Sequence, residues 1–123
     1  MKPLIVALAW AISLSSLASC GGEVSLQLPQ DETLNLSVYN GGRPLKEEPL
    51  PPTGNKHHLL SLWLSANRDG WSTTPLSYVP GVDVTGKGFS INFLGKDVII
   101  NYHKRQYIKS VDPKDYEFLL GSP

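Results

Sequence analysis

The stretch FSINFLGKDVIINY, residues 89–102, decides the fold. In its first half Phe89, Ile91 and Phe93 alternate with Ser90 and Asn92. In its second half Val98, Ile100 and Tyr102 alternate with Ile99 and Asn101. Side chains along a strand point to opposite faces with period two, so each half reads as a strand buried on one side. Leu94-Gly95-Lys96-Asp97 turns the chain between them. A two-residue turn at Gly95-Lys96 sets Phe93 opposite Val98, Ile91 opposite Ile100 and Phe89 opposite Tyr102. Every core-type residue then shares one face, which is the register a core requires.

Towards the C-terminus, His103-Lys104-Arg105-Gln106 makes a polar corner, and residues 107–111 return as a third strand. Asp112-Pro113 pairs an N-cap residue with proline at the first helical position. Tyr116, Leu119 and Leu120 follow at helical spacing and predict a short terminal helix. Towards the N-terminus, Leu76, Tyr78, Val82 and Val84 fit short strand pieces broken at Pro75, Pro80 and Gly81. Residues 57–69 predict the main helix, with Asn55 as N-cap and Gly70 as the stop. Leu59, Leu60, Leu62, Trp63, Leu64 and Ala66 form an apolar arc broad enough to lie across a sheet.

Alternation recurs in residues 23–28 and 33–39. A hairpin closed by residues 29–33 would set Leu28 against Leu34, Leu26 against Leu36 and Val24 against Val38. Residues 40–56 hold Gly41, Gly42, Pro44, Pro49, Pro51, Pro52 and Gly54 among charged side chains, and read as a long Pro-rich surface loop. The sum is an α+β fold: a small antiparallel sheet with one main helix packed on one face and a short C-terminal helix.

Lys plus Arg number 11 and Asp plus Glu 11 in the 123 residues, a neutral balance that argues against nucleic acid as a partner. His57, His58 and His103 are the only histidines. Adjacent histidines on a helix point about 100° apart, so they do not share a metal, and they read as solvated residues at a helix start. No Gly-x-Ser-x-Gly elbow occurs, and Lys87-Gly88-Phe89-Ser90 lacks the frame of a phosphate loop. Asp69, Asp83, Asp97 and Asp112 sit at turns or caps, where carboxylates satisfy backbone amides. The expectation is a non-enzymatic protein with neither metal nor cofactor.

Two groups remain as a possible binding surface. One is the basic corner His103, Lys104 and Arg105, with Lys109 and Lys96 nearby. It could meet anionic headgroups or an acidic partner, or act only as a charged edge that keeps the sheet from pairing with strangers. The other is aromatic. Trp63 and Tyr102 lie within apolar faces and belong to the core, whereas Trp71 and Tyr39 belong to no such pattern and are candidates for contact.

Residues 1–19 carry one charge, Lys2, and the apolar run LIVALAWAISLSSL over residues 4–17. This is the pattern of a secretory signal peptide, and is shorter than the roughly 20 apolar residues of a membrane helix. Leu17-Ala18-Ser19-Cys20 closes it. These four residues resemble the lipobox of bacterial lipoproteins. The resemblance implies a diacylglyceryl thioether on Cys20, cleavage between Ser19 and Cys20, and acylation of the new amine. Gly21, where enteric-type bacteria use aspartate for inner-membrane retention, implies the outer membrane, facing the periplasm. Cys20 is the only cysteine, so lipidation would consume a thiol that has no disulfide partner in the chain.

The expected organisation is a signal peptide at 1–19, a lipidated anchor at 20–22 and one α+β domain at 23–123. The expected function is a membrane-anchored envelope lipoprotein that binds another macromolecule, a protein partner in the envelope. An immunity or inhibitor protein is a narrower version of this. The alternative is a carrier of a small ligand or lipid, which needs an apolar pocket of about 300–1,000 Å³ between helix and sheet.

Overall fold

The computed structural model describes residues 22–121. The expected signal peptide at 1–19, its expected cleavage at Ser19 and the expected lipidation at Cys20 lie outside the described residues. In chain order the elements are β1 (Leu34–Asn40), β2 (Arg43–Leu50), helix α1 (Asn55–Ala66), β3 (Ser72–Thr73), β4 (Val82–Gly86), β5 (Phe89–Leu94), β6 (Asp97–Tyr102), β7 (Arg105–Ser110) and a terminal 3-10 helix (Pro113–Leu120). The strands form one antiparallel sheet in the order β2-β1-β4-β5-β6-β7-β3. This is the α+β arrangement expected from the patterning.

The central hairpin has the expected register. Phe93 pairs with Val98, Ile91 with Ile100 and Phe89 with Tyr102. The same face continues through Val82 and Val84 on β4 and Leu34 and Leu36 on β1. Against this face pack Leu60, Trp63 and Leu64 of α1, together with Trp71 and, from the terminal helix, Tyr116 and Leu119. Phe93 lies at the centre, its ring 5.3 Å from Trp63 edge-on and 4.6 Å from Tyr116 in a stack.

Two expectations near the N-terminus are corrected. Residues 23–28 are extended, with Val24, Leu26 and Leu28 buried, yet they do not pair with β1. Both sides of β1 are taken, one by β2 and the other by β4. The segment instead runs beside α1, where Leu26 and Leu28 adjoin Ser61 and Leu64, and Val24 N–H donates to Arg68 O, just past the helix, at 2.9 Å. Alternating burial shows that one side is covered and not whether a sheet or a helix covers it.

Residues 43–50, read as loop, are strand β2. Gly41 (φ 58°) and Gly42 (φ 82°) supply the two left-handed residues of a tight hairpin turn, a pair that such turns favour. Pro44 and Pro49 are tolerated because β2 is an edge strand, where alternate N–H positions need no partner. The inward positions of β2 are Leu50, Glu48 and Lys46, so a charged pair stands where apolar residues would have revealed the strand.

At helix α1 the N-cap is Gly54 and the helix stops at Ala66, three residues short of the expected end. The Asn67 carbonyl is taken by the Trp71 indole N–H at 2.7 Å, while the Asn67 amide donates to Trp63 O at 2.9 Å. His57, expected in solvent, is buried, with Nε2 3.2 Å from Pro29 O; His58 is exposed. In the terminal helix Asp112 caps the Lys114 N–H as expected. Its 3-10 period brings Tyr116 and Leu119 onto the core and turns Leu120 outward, 47% exposed.

The second face of the sheet is crossed by residues 74–81, which carry the chain from β3 at one edge to β4 in the interior. Each strand beneath gives them a polar side chain. Gln106 of β7 donates to the carbonyls of Thr74 (3.1 Å) and Leu76 (2.7 Å). Asn101 of β6 donates to the Tyr78 hydroxyl (3.0 Å), and Asn92 Oδ1 of β5 accepts from Gly81 N–H (2.9 Å). These amides satisfy a crossing strap that has few backbone partners.

Candidate functional site

Antiparallel pairing of Phe89 with Tyr102 brings the turn before one residue beside the turn after the other. Lys87-Gly88 and His103-Lys104 therefore meet at one end of the sheet. The extended segment after Gly22 closes the third side, and the three walls enclose an open groove of about 590 Å³. Lys87, His103 and Lys104 line it, over a floor that includes Leu26, Pro29 and Phe89. One carboxylate, Glu32, lies in the lining and accepts the backbone N–H of Lys87 at 2.9 Å.

The His103-Lys104 turn is a two-residue hairpin with both residues in the left-handed region, φ 52° and 62°. Such turns favour Asn-Gly, because a side chain at positive φ crowds the backbone at roughly 1–2 kcal/mol per residue. Histidine tolerates this region better than most residues, and lysine does not share that tolerance. The two side chains are thus presented at some expense to the turn. Replacing the pair with the residues the geometry prefers, His103→Asn with Lys104→Gly, is expected to raise stability by about 1 kcal/mol after glycine's own entropy is counted. The check is a higher urea midpoint at unchanged m-value; a lower midpoint would show that the turn side chains contribute to packing.

The basic corner is thus brought together and enlarged. His103 and Lys104 line the groove with Lys87, and Arg105 is exposed as the first residue of β7. Lys87 belongs to no local pattern of basic residues, and only the Phe89–Tyr102 register sets it beside the His103-Lys104 turn. Lys96 lies at the opposite end of β6, and Lys109 is bonded to Asp69 O with its ammonium 5.9 Å from the centre of the Trp71 ring.

The aromatic half of the expected surface is corrected. Trp71 is 1% exposed, its ring edge-on to Trp63 at 6.3 Å, so it belongs to the core. Its position just past the helix, in a turn through Gly70, hid this, since a residue in a turn has no periodicity to report burial. Tyr39 is half-buried at the end of β1 remote from the groove, and its N–H donates to Gly81 O.

Among the other ionisable groups, Asp83 lies in the row Ser37–Asp83–Asn92 on the strap-covered face. Burial pushes its carboxyl above the ordinary 3.8, and the Asn92 amide offsets this only in part. Among the described residues no group of three or more His, Cys, Asp or Glu is placed to hold a metal ion, and no helix is long and apolar enough to cross a membrane. No protein-family model, curated protein or solved structure matches the chain.

Proposed function

We propose that this protein is a lipoprotein of the cell envelope, non-enzymatic, held to the outer membrane through Cys20 and binding another macromolecule, a protein of the envelope, with its folded part. The observation that carries the reading is Leu17-Ala18-Ser19-Cys20 at the end of an apolar leader. Two or three acyl chains at that residue would hold firmly, since each buried methylene contributes about 0.8 kcal/mol.

The fold supports a close attachment. Gly22 N–H donates to Trp71 O at 2.7 Å and Trp71 N–H returns to Gly22 O at 3.0 Å. A side chain at Gly22 would stand 2.9 Å from the Trp71 carbonyl oxygen, so glycine permits this approach. Two peptide links separate Gly22 from Cys20, which limits their Cα atoms to about 7 Å apart. An anchor there keeps the β3 edge near the bilayer. Strand β2, six strand spacings or about 29 Å across the sheet, is then available to a partner.

The carrier alternative has less support, because Leu60, Trp63, Leu64, Ile91, Phe93 and Ile100 occupy the space between helix and sheet. Mass spectrometry of the protein from its native host is expected to find a chain beginning at Cys20 with a diacylglyceryl thioether, and crosslinking in the envelope to recover one stoichiometric protein. An unmodified sulfur, with the leader retained or cut elsewhere, would overturn the anchor. Recovery of lipid without a protein would overturn the partner reading in favour of a carrier.

A further inference from the structure

From the groove between the Lys87-Gly88 and His103-Lys104 turns we infer that this protein carries a binding site for a phosphate group. Three observations meet there. The first is convergence: two ammonium groups and an imidazole, from turns 15 residues or more apart in sequence, line one concavity of about 590 Å³. That volume lies within the range of about 300–1,000 Å³ typical of small-ligand sites.

The second is their availability. Among the described residues Lys46, Lys56 and Arg68 are held in ion pairs, whereas Lys87, Lys104 and the adjacent Arg105 are in none. Glu32, the carboxylate of the lining, is directed to the Lys87 backbone N–H. The third is the backbone. His103 and Lys104 both sit at positive φ, a geometry that Asn-Gly would satisfy without presenting either cation.

A compact, doubly charged oxyanion suits this set, because lysine binds phosphate as a point charge and an imidazole N–H adds a directed donor. The apolar floor of Leu26, Pro29 and Phe89 has room for the carbon frame that a phosphate ester carries. The source can be a phospholipid headgroup or free phosphate. Ser25 lines the groove five residues beyond Cys20, so the site lies within about 18 Å of the anchor position by chain length. The headgroup source rests on the anchor reading above; the phosphate site itself does not.

The full chain, purified in neutral detergent, is to be titrated with dihexanoyl phosphatidylglycerol and, separately, with inorganic phosphate, following the backbone amide resonances of Lys87, Gly88, His103 and Lys104. Saturable shifts at these four residues with either titrant are expected, weakening as salt is raised. The variant Lys87→Gln/His103→Asn/Lys104→Gly keeps the turn geometry and is expected to bind at least tenfold more weakly. Shifts with the lipid alone assign the headgroup as source, and shifts with inorganic phosphate assign the free ion; both support the site. Neither titrant moving these resonances, or equal binding by the variant, overturns it. The mass of Cys20 in the same preparation reports the anchor independently, so loss of one reading is distinguishable from loss of the other.

Discussion

Trp71→Ala is expected to destabilise the protein by about 3–5 kcal/mol, the range for truncating a large buried aromatic. Converted for a fold of this size, that is a fall in Tm of about 15–30 °C. Three contributions disappear together. The ring is 1% exposed and packs edge-on against Trp63, whose own ring meets Phe93 at the centre of the sheet. The indole N–H closes the end of α1 by donating to the Asn67 carbonyl. The same ring lies under Lys109, whose ammonium is tied to the turn at Asp69. Trp71→Phe keeps most of the buried area and loses the N–H, so it should cost a smaller amount, about 1–3 kcal/mol. Urea unfolding of the two variants measures both. A change below about 0.5 kcal/mol for Trp71→Ala, the range of ordinary surface positions, would place the ring on the surface instead.

Lys56→Met is expected to cost about 3–5 kcal/mol, the penalty for removing one partner of a buried ion pair. Lys56 is 8% exposed and Glu48 is 7%. The ammonium donates to Glu48 Oε1 at 2.9 Å, to Leu119 O at 3.1 Å and to Gly121 O at 2.7 Å. It therefore ties the edge strand β2, the start of α1 and the end of the terminal helix at one point. A cation in the first turn of a helix is opposed by the helix dipole, so the tertiary bonds and not the helix account for its position. Methionine leaves Glu48 with Lys46 alone, at 3.2 Å, and strands the Leu119 carbonyl, whereas Gly121 O keeps the Lys46 ammonium at 3.3 Å. The double variant Lys56→Met/Glu48→Leu removes both charges and should recover a large part of the loss, which a double-mutant cycle would register as coupling.

The same cluster sets a pH dependence. Burial raises the Glu48 carboxyl, but hydrogen bonds and charge from Lys56 and Lys46 outweigh it and hold it below the ordinary 4.5. A group whose folded value is depressed stabilises the fold above its unfolded value and loses that contribution as pH falls through the folded one. Stability measured by denaturant titration should therefore decline on acidification below about 4.5, and Glu48→Gln should flatten that decline. An unchanged slope in Glu48→Gln would assign the acid sensitivity to other carboxylates.

The fold was most legible where its determinants are local. Within residues 89–102 the alternation, the turn residues and the cross-strand pairs all lie in one short stretch, and the register was readable from it. Asp112-Pro113 is equally local, since a cap and the residue after it report a helix start whatever surrounds them. The basic corner was legible in part: His103 and Lys104 line the groove, while Lys87 joins them only through strand pairing.

What the chain determined by itself is thus the central hairpin, the cap of the terminal helix and the Leu60, Trp63 and Leu64 face of α1, all set by periods and turn chemistry within a few residues, whereas Leu62 and Ala66 of the expected arc are exposed. Tertiary structure decided that residues 23–28 lie beside a helix, that a proline-bearing segment with inward charges is an edge strand, and that Trp71 is interior. The reason is physical. Alternation records that a face is covered, and a buried Glu48 is acceptable only once Lys56 stands within 2.9 Å; both depend on contacts between residues that no local window contains.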